Sequence, residues 1–477
     1  MNKIIKIIFV LGFLMPVCVQ SQTVTWQRYY NYESGHDEAF DAIQTYDGGY
    51  LIVGRGRSSE VFMGNFLLKT DYLGNIEWKK LIGNTTENRN AFRIRQVSDS
   101  GYIIVGDSYN NILIYKVDKN GEIIWERRYS EENAQARASS FVITADSCII
   151  TCGIVYFFSP LLSHPYIVKT DLSGNLKWKK YYNDMVDFAA NDIIEIENKK
   201  YIYCASKYLR KIDSSGNVLS TNEYWSGTGY LTLFSLAYEK PGIVYSAGTS
   251  ELNGLELMHL IKVNSDDSLY WSKRIVSPDN DFADCTSICL VKGKVFMTGA
   301  YNLKGVVPFV KVSGDGKLQT YNLIPESQAV ESYANSIRPT NDNGFIICGS
   351  TRFGAVPSYK YLVIKTDSNG YAPELVNIQH RSENAEVFEL YQNYPNPFNP
   401  TTNIQFSLQK IAPITLTVFD VNGKKITELE KGVKNSGFHL IKFDGSNLPS
   451  GIYFYQLEIN KLKYPNQLIT KKMLLIK

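Results

Sequence analysis

Histidine and cysteine are the scarcest of the residues that carry chemistry in this 477-residue chain, with 5 and 7 copies. Residues 22–374 hold three histidines, His36, His164 and His259, at no spacing that suits a shared metal ion. No metal or cofactor site is predicted. Two close cysteine pairs, Cys148/Cys152 and Cys285/Cys289, are each four residues apart on expected strands, a span of roughly 13 Å. A disulfide needs Cα atoms within about 7 Å, so buried free thiols are expected instead. A strong charge of one sign is missing too. The net charge is +3, and residues 22–387 carry an acidic excess of four, which argues against nucleic-acid binding. From Phe388 onward arginine is absent, and eleven lysines stand against six acidic residues.

Long apolar runs are also lacking beyond the N-terminus. There, Lys3 and Lys6 precede an apolar stretch from Ile7 to Val19, too short for a membrane span but laid out as a signal peptide. Residues 1–21 are predicted to be removed, with cleavage after Ser21. Lipidation at Cys18 is disfavoured by Pro16 and Val17, where small residues are wanted. No later segment is apolar enough to span a bilayer, so no transmembrane segment is expected in the mature chain.

What the chain does have is β-forming residues and turns, with Tyr 33, Phe 23 and Gly 34. They fall into seven copies of one pattern. A small residue closes the second strand of each copy at Gly54, Gly106, Gly153, Ala205, Gly248, Gly299 and Gly349, spaced by 52, 47, 52, 43, 51 and 50 residues. Fifteen residues upstream of five of these stands Ala39, Ala91, Ala138, Ala190 or Ala334. A Lys-x-Asp-like turn follows downstream, as at Lys69/Asp71, Lys116/Asp118 and Lys169/Asp171. Four short β-rich runs per copy at a period near fifty predict an all-β chain with a seven-bladed β-propeller over residues 22–374. The last copy lacks a fourth strand, and Trp26–Tyr30 is an orphan strand ahead of the first. Residues 24–30 are therefore expected to close the last blade and remove an open sheet edge.

The spacing Asp71/Gly74/Trp78 recurs as Asp118/Gly121/Trp125 and Asp171/Gly174/Trp178, while Ser220 and Thr320 replace tryptophan in copies four and six. This resembles the tryptophan-docking motif of quinoprotein-like propellers, which implies that each Trp packs between neighbouring blades. A quinone-dependent dehydrogenase is nonetheless disfavoured, because those enzymes have eight blades and a vicinal cysteine pair.

Residues 375–387 read as a linker. Residues 388–477 alternate short strands with turns and predict a small immunoglobulin-like β-sandwich. The segment carries Asn393, Pro395, Asn396, Pro397, Phe398, Asn399 and Pro400, then Gly423, Gly451, Tyr453 and a C-terminal run with Lys471 and Lys472. These residues resemble the type A sorting domain of the type IX secretion system, with Phe443 where many relatives have Trp. The resemblance implies the secretion machinery as partner, and a secreted or cell-surface location in a Gram-negative-type bacterium.

Connections between the second and third strands, and between blades, are expected to be long, unlike one another and gathered on one face around the central channel, where binding residues usually sit. That face is expected to carry Arg55, Arg89, Tyr156, Trp225, Tyr301 and Arg352, a mixture suited to a glycan or a protein. The functional expectation is a non-catalytic binding or adhesion propeller. The alternative is an extracellular polysaccharide hydrolase or lyase using the loop carboxylates of His36-Asp37-Glu38 or of Asp279, Asp281 and Asp284.

Overall fold

The computed structural model describes residues 24–373 and 388–477, apart from short segments at 33–35, 59–62, 84–86, 226, 228, 280, 302–304, 326–328, 355–358, 394, 409–410, 422, 436 and 460–466. The signal peptide (1–21) and the linker (375–387) of the sequence reading lie outside the described residues. The chain divides into a unit of Thr23–Val376 and a C-terminal unit.

The first unit is a seven-bladed β-propeller of four-stranded antiparallel sheets. Blade one comprises Glu38–Gln44, Tyr50–Gly56, Gly64–Thr70 and Ile76–Ile82, and each later copy repeats this order. Blade seven combines Glu331–Pro339, Phe345–Arg352 and Tyr359–Thr366 with Trp26–Tyr30, which pairs antiparallel to Tyr359–Thr366 from Trp26/Lys365 to Tyr30/Tyr361. The two ends of the unit thus share one sheet.

The repeated glycine has a backbone cause. In blades one, two, three, five and seven the first strand carries a bulge opposite that residue, at Phe40, Phe92, Ser139, Phe234 and Asn335. The carbonyl just upstream lies where a Cβ would be, so a methyl at Gly106 would collide with Asn90 O, and one at Gly153 with Arg137 O. In blade four, where Ala205 replaces glycine, the first strand begins only at Asp192, opposite Cys204, and the collision does not arise.

Trp docking joins the blades. The glycines at the third turn, Gly74, Gly121, Gly174 and Gly216, lie against the rings of Trp26, Trp78, Trp125 and Trp178 from the preceding blade. Trp26 Nε1 donates to Tyr72 O, and Trp178 Nε1 to Ser214 O, each at 3.1 Å. Four residues after the tryptophan slot, Tyr30, Tyr129, Tyr182 and Tyr224 donate to a carbonyl of the same turn. Blade four has Ser220 in the tryptophan slot, and blade five has Asp267 in the facing glycine slot, held by Lys211 at 2.9 Å. The repeated lysine of the third strand reaches back to the first turn, pairing Lys69 with Asp47, Lys116 with Asp99, Lys169 with Asp146 and Lys365 with Asp342. The Asp of each Asp-x-x-Gly turn caps turn N–H groups, as Asp71 does for Leu73 and Asn75.

One expectation is corrected. Long second-to-third connections occur in blades one, six and seven, but blades two to five close that hairpin in two residues, at 109–110, 159–160, 206–207 and 253–254. In blades three and five the extra sequence lengthens the strands themselves, to 11 residues in Cys148–Phe158 and 10 in Ile243–Leu252, because pairing satisfies backbone groups that a loop would leave to water.

The C-terminal unit is a two-sheet sandwich. One sheet contains Phe388–Leu390, Thr401–Leu408 and Gly437–Asp444; the other contains Ala412–Phe419, Lys425–Lys434, Gly451–Ile459 and Gln467–Leu475. Its core gathers Ile404, Phe406, Leu416, Tyr455 and Met473, with Phe443 also buried. All six described cysteines are buried, free thiols.

Trp26→Ala is expected to lower stability by about 3–5 kcal/mol in urea unfolding, since it empties the docking site that closes the ring. Gly106→Ala is expected to cost on the order of 3 kcal/mol through collision with Asn90 O, whereas Ala205→Gly should cost only about 1 kcal/mol of backbone entropy.

Candidate functional site

The bulge residue in blades one, two, three, five and seven, and the residue just before the first strand in blades four and six, aim one side chain per blade toward the axis. Phe40, Phe92, Ser139 and Asn191 together with Phe234, Thr286 and Asn335, one from each blade in order, line a channel mouth of about 310 Å³ with Arg93 and Asp284. The next residue inward ties neighbouring blades. Asp192 Oδ2 accepts from Leu236 N at 2.8 Å, Ser235 Oγ from Ile288 N at 3.2 Å, and Ser287 Oγ from Ile337 N at 3.3 Å. At the seam where the ring closes, this position is Asp41. Its wholly buried carboxylate accepts from Ile94 N and Arg95 of blade two and from Ser336 and Arg338 of blade seven. Burial opposes its charge, but the surrounding guanidiniums outweigh that and hold it well below the usual carboxylate range.

Beside the mouth lies a polar cleft of about 400 Å³, formed by Arg55, Asn88, Asn90, Asp107, Tyr109, Asn110, Gln135 and Arg137 of blades one to three. Arg55 connects the two, with its guanidinium 5.9 Å from the Phe40 ring centre. Asp107 is buried, accepts from Asn90 Nδ2 at 2.7 Å, and is pushed upward by burial against the opposing pull of Arg137 and Arg55. Arg55 Nε and Asn90 Oδ1 are buried without a hydrogen-bond partner in the chain. Tyr109 stands 67% exposed at the rim, and Arg137 covers Tyr156 at 6.0 Å.

Of the six residues singled out in the sequence, the structure brings Arg55 into this cleft and Tyr156 under its Arg137, but not the other four. Arg89 is buried in an ion-pair network with Glu87 and Glu126. Trp225 packs edge-on against His259 at 5.3 Å under Arg274. Tyr301 is 1% exposed and donates to Asp279. Arg352 pairs with Glu331 and covers Tyr359. Asn90, Asp107, Gln135 and Arg137 were missed, although their places flanking the bulge and at the hairpin ends were legible once the repeat was aligned.

The loop carboxylates of the catalytic alternative are mostly engaged. Asp37 accepts from the Tyr32 and Arg57 amides, and Glu38 bonds His36 and Arg55. Asp284 differs. It faces the channel mouth, accepts from Ala300 N at 2.6 Å, and burial pushes its carboxyl up to about 6. His259 is pushed down to about 4 by burial and by Arg274. Among the described residues no three His, Cys, Asp or Glu side chains gather as a metal site.

A cleft of about 820 Å³ lies at the blade-six to blade-seven seam, lined by Tyr321, Leu323, Pro325, Tyr371 and Pro373. Here Thr320 stands in the tryptophan slot. The lining is apolar, and few polar groups converge on it.

In the C-terminal unit the sorting-motif residues fold onto the last strand. Asn393 is buried, its N–H donating to Tyr455 Oη at 2.7 Å and its side chain to Pro395 O and Thr402 Oγ1. Asn396 Oδ1 accepts from Leu474 N, Phe398 N donates to Leu474 O, and Ile476 N donates to Phe398 O. Phe398 packs 5.8 Å from Phe443, and Tyr453 Oη donates to Pro449 O. Gly423 takes φ +77° in its turn, Gly451 starts the strand Gly451–Ile459, and Lys471 and Lys472 lie on the last strand opposite Tyr455 and Phe454.

Residues 392–471 match the family described as the secretion system C-terminal sorting domain. This C-terminal unit is therefore a sorting domain of type IX secretion. No curated protein matches the chain. Similar solved structures include the WD40 domain of Neurospora crassa Pan2, at 11% identity and TM-score 0.47, covering 74% of this chain and 99% of that one. Chaetomium thermophilum Sqt1 is similar at 12% identity and TM-score 0.45, covering 81% and 96%. A Dyadobacter fermentans protein of unknown function is similar at 10% identity and TM-score 0.44, covering 72% and 99%.

Because folding raises the Asp284 pKa, its contribution to stability is present at low pH and is lost as pH rises through about 6. Asp284→Asn is expected to be nearly neutral at pH 4 and to stabilise by on the order of 1–2 kcal/mol at pH 7.5, read from paired urea titrations. Equal effects at both pH values would contradict the assignment.

Proposed function

We propose that this chain, after loss of residues 1–21, is an exported β-propeller that binds a glycan or protein through the cleft between Arg55 and Arg137. On this reading the propeller reaches the cell surface or the medium through its sorting domain, with residues 375–387 as the connecting linker. The observation that carries it is a pair of buried, unpartnered polar atoms, Arg55 Nε and Asn90 Oδ1, in a cleft rich in amides. Buried polar groups without partners are costly, and a hydroxyl-rich or amide-bearing ligand supplies the missing partners. Tyr109 offers a ring face for stacking. A glycan satisfies both features at once and is the favoured ligand class.

The alternative, hydrolysis or lysis of a polysaccharide, draws support from Asp284 alone, a carboxyl held near a working general-acid range at the channel mouth.

The full chain applied to an array of polysaccharides and proteins, with soluble product assayed in the same wells, is expected to show retention without product. Tyr109→Ala and Arg137→Ala, both at exposed positions, should each weaken retention about tenfold, consistent with 1–3 kcal/mol per lost contact, and leave thermal stability unchanged. Product release would overturn the binding reading, as would retention indifferent to both substitutions.

A further inference from the structure

We propose that the central channel holds one small monovalent anion, a carboxylate or a halide, between the guanidinium groups of Arg93, Arg95 and Arg338. Inward of the mouth lies a chamber of about 100 Å³ lined by Arg93, Arg95, Arg338, Asp192, Ser235 and Ser287, with apolar side chains between them. A water takes about 30 Å³ of liquid volume, so the chamber has room for an ion of a few heavy atoms. Arg93 lines both this chamber and the wider mouth, which provides the way in.

The charges there do not balance. Asp41 is shared between two guanidiniums, accepting from Arg95 Nη1 at 3.1 Å and from Arg338 Nε and Nη2 at 3.2 and 3.3 Å. Arg93 donates only to carbonyls, Phe92 O at 3.0 Å and Phe40 O at 3.4 Å. Among the described residues no carboxylate stands within ion-pairing distance of it. Asp192 is turned to the backbone, accepting from Ile193 N at 2.9 Å and Leu236 N at 2.8 Å. Three cations therefore face two carboxylates inside a protein-walled chamber, where uncompensated charge is costly.

One monovalent anion restores neutrality, while a dianion overshoots and meets Asp192. The hydroxyls are set to help. Ser235 and Ser287 already accept a backbone N–H each, which leaves their protons free to donate into the chamber. Guanidinium groups bind carboxylate through paired N–H donors and halide as plain charge. The site lies inward of the cleft proposed for the extracellular ligand and does not depend on that reading.

The test uses the full chain at constant ionic strength in sodium gluconate, an anion too large for the chamber, with formate, chloride or sulfate substituted stepwise. The melting temperature is expected to rise saturably with formate or with chloride, the more potent of the two naming the source, and less with sulfate. Arg93→Gln should raise the half-saturating concentration at least tenfold, and Ser287→Ala, which removes only a hydroxyl, at least threefold. A non-saturating rise that is the same in the wild type and in Ser287→Ala would overturn the site. So would no rise at all, or sulfate acting as well as the monovalent ions.

Discussion

In six of the seven blades a carbonyl at or just ahead of the first strand closely approaches the repeated glycine, and the propeller depends on this constraint. Sheets arranged around an axis crowd at their inner strands, and the crowding leaves no room for a Cβ on the second strand. The extra residue that creates the bulge twists the strand and turns a side chain toward the axis. The same backbone device sets five of the seven side chains around the channel mouth, from Phe40 to Asn335. Those seven are three phenylalanines and four small polar residues, whereas the residues behind them are six glycines and one alanine.

Closure of the ring rests on distant parts of the chain finding each other. Trp26–Tyr30 completes a sheet whose other strands lie more than 300 residues away, and Trp26 docks on the turn of blade one. On the inner side Asp41 bonds to blades two and seven together, so one buried carboxylate spans the seam. Breaking such a buried pair from one side costs several kcal/mol, because the remaining charge stays behind. The outer seams tolerate variation more readily. Blade four has Ser220 in the tryptophan slot, and an Asp267–Lys211 pair stands where the facing glycine would be. The seam after blade six kept Gly370, now packed by Phe309.

The sorting domain uses its motif in a different way. Its Asn-Pro-rich opening folds against the final strand, so that residues some eighty positions apart form one surface patch through Asn396, Phe398 and Leu474. Asn393 and Phe398 are buried, which makes them supports of the fold, while Lys472 is exposed on the edge strand.

Repeat number, strand count per blade, the docking tryptophans and the sorting motif were legible in the chain because each is a local pattern: period, turn chemistry or a contiguous run. The Trp-x-x-x-Tyr spacing and the Lys–Asp link between third strand and first turn were equally present, but their meaning needs a partner in another strand or blade. The face proposed to bind a ligand was less legible. Arg89 and Tyr301 have the right residue types for a ligand and sit in the right connections, yet ion pairing and burial consume them. Asn90, Asp107 and Arg137 form a cleft because hairpin ends from adjacent blades are brought side by side. The channel charge of Arg93, Arg95 and Arg338 against Asp41 and Asp192 arises from residues up to 297 positions apart. Periodicity along a chain determines which residues turn inward; only the closed ring decides which of them meet, since that depends on the radius and order in which the blades are joined.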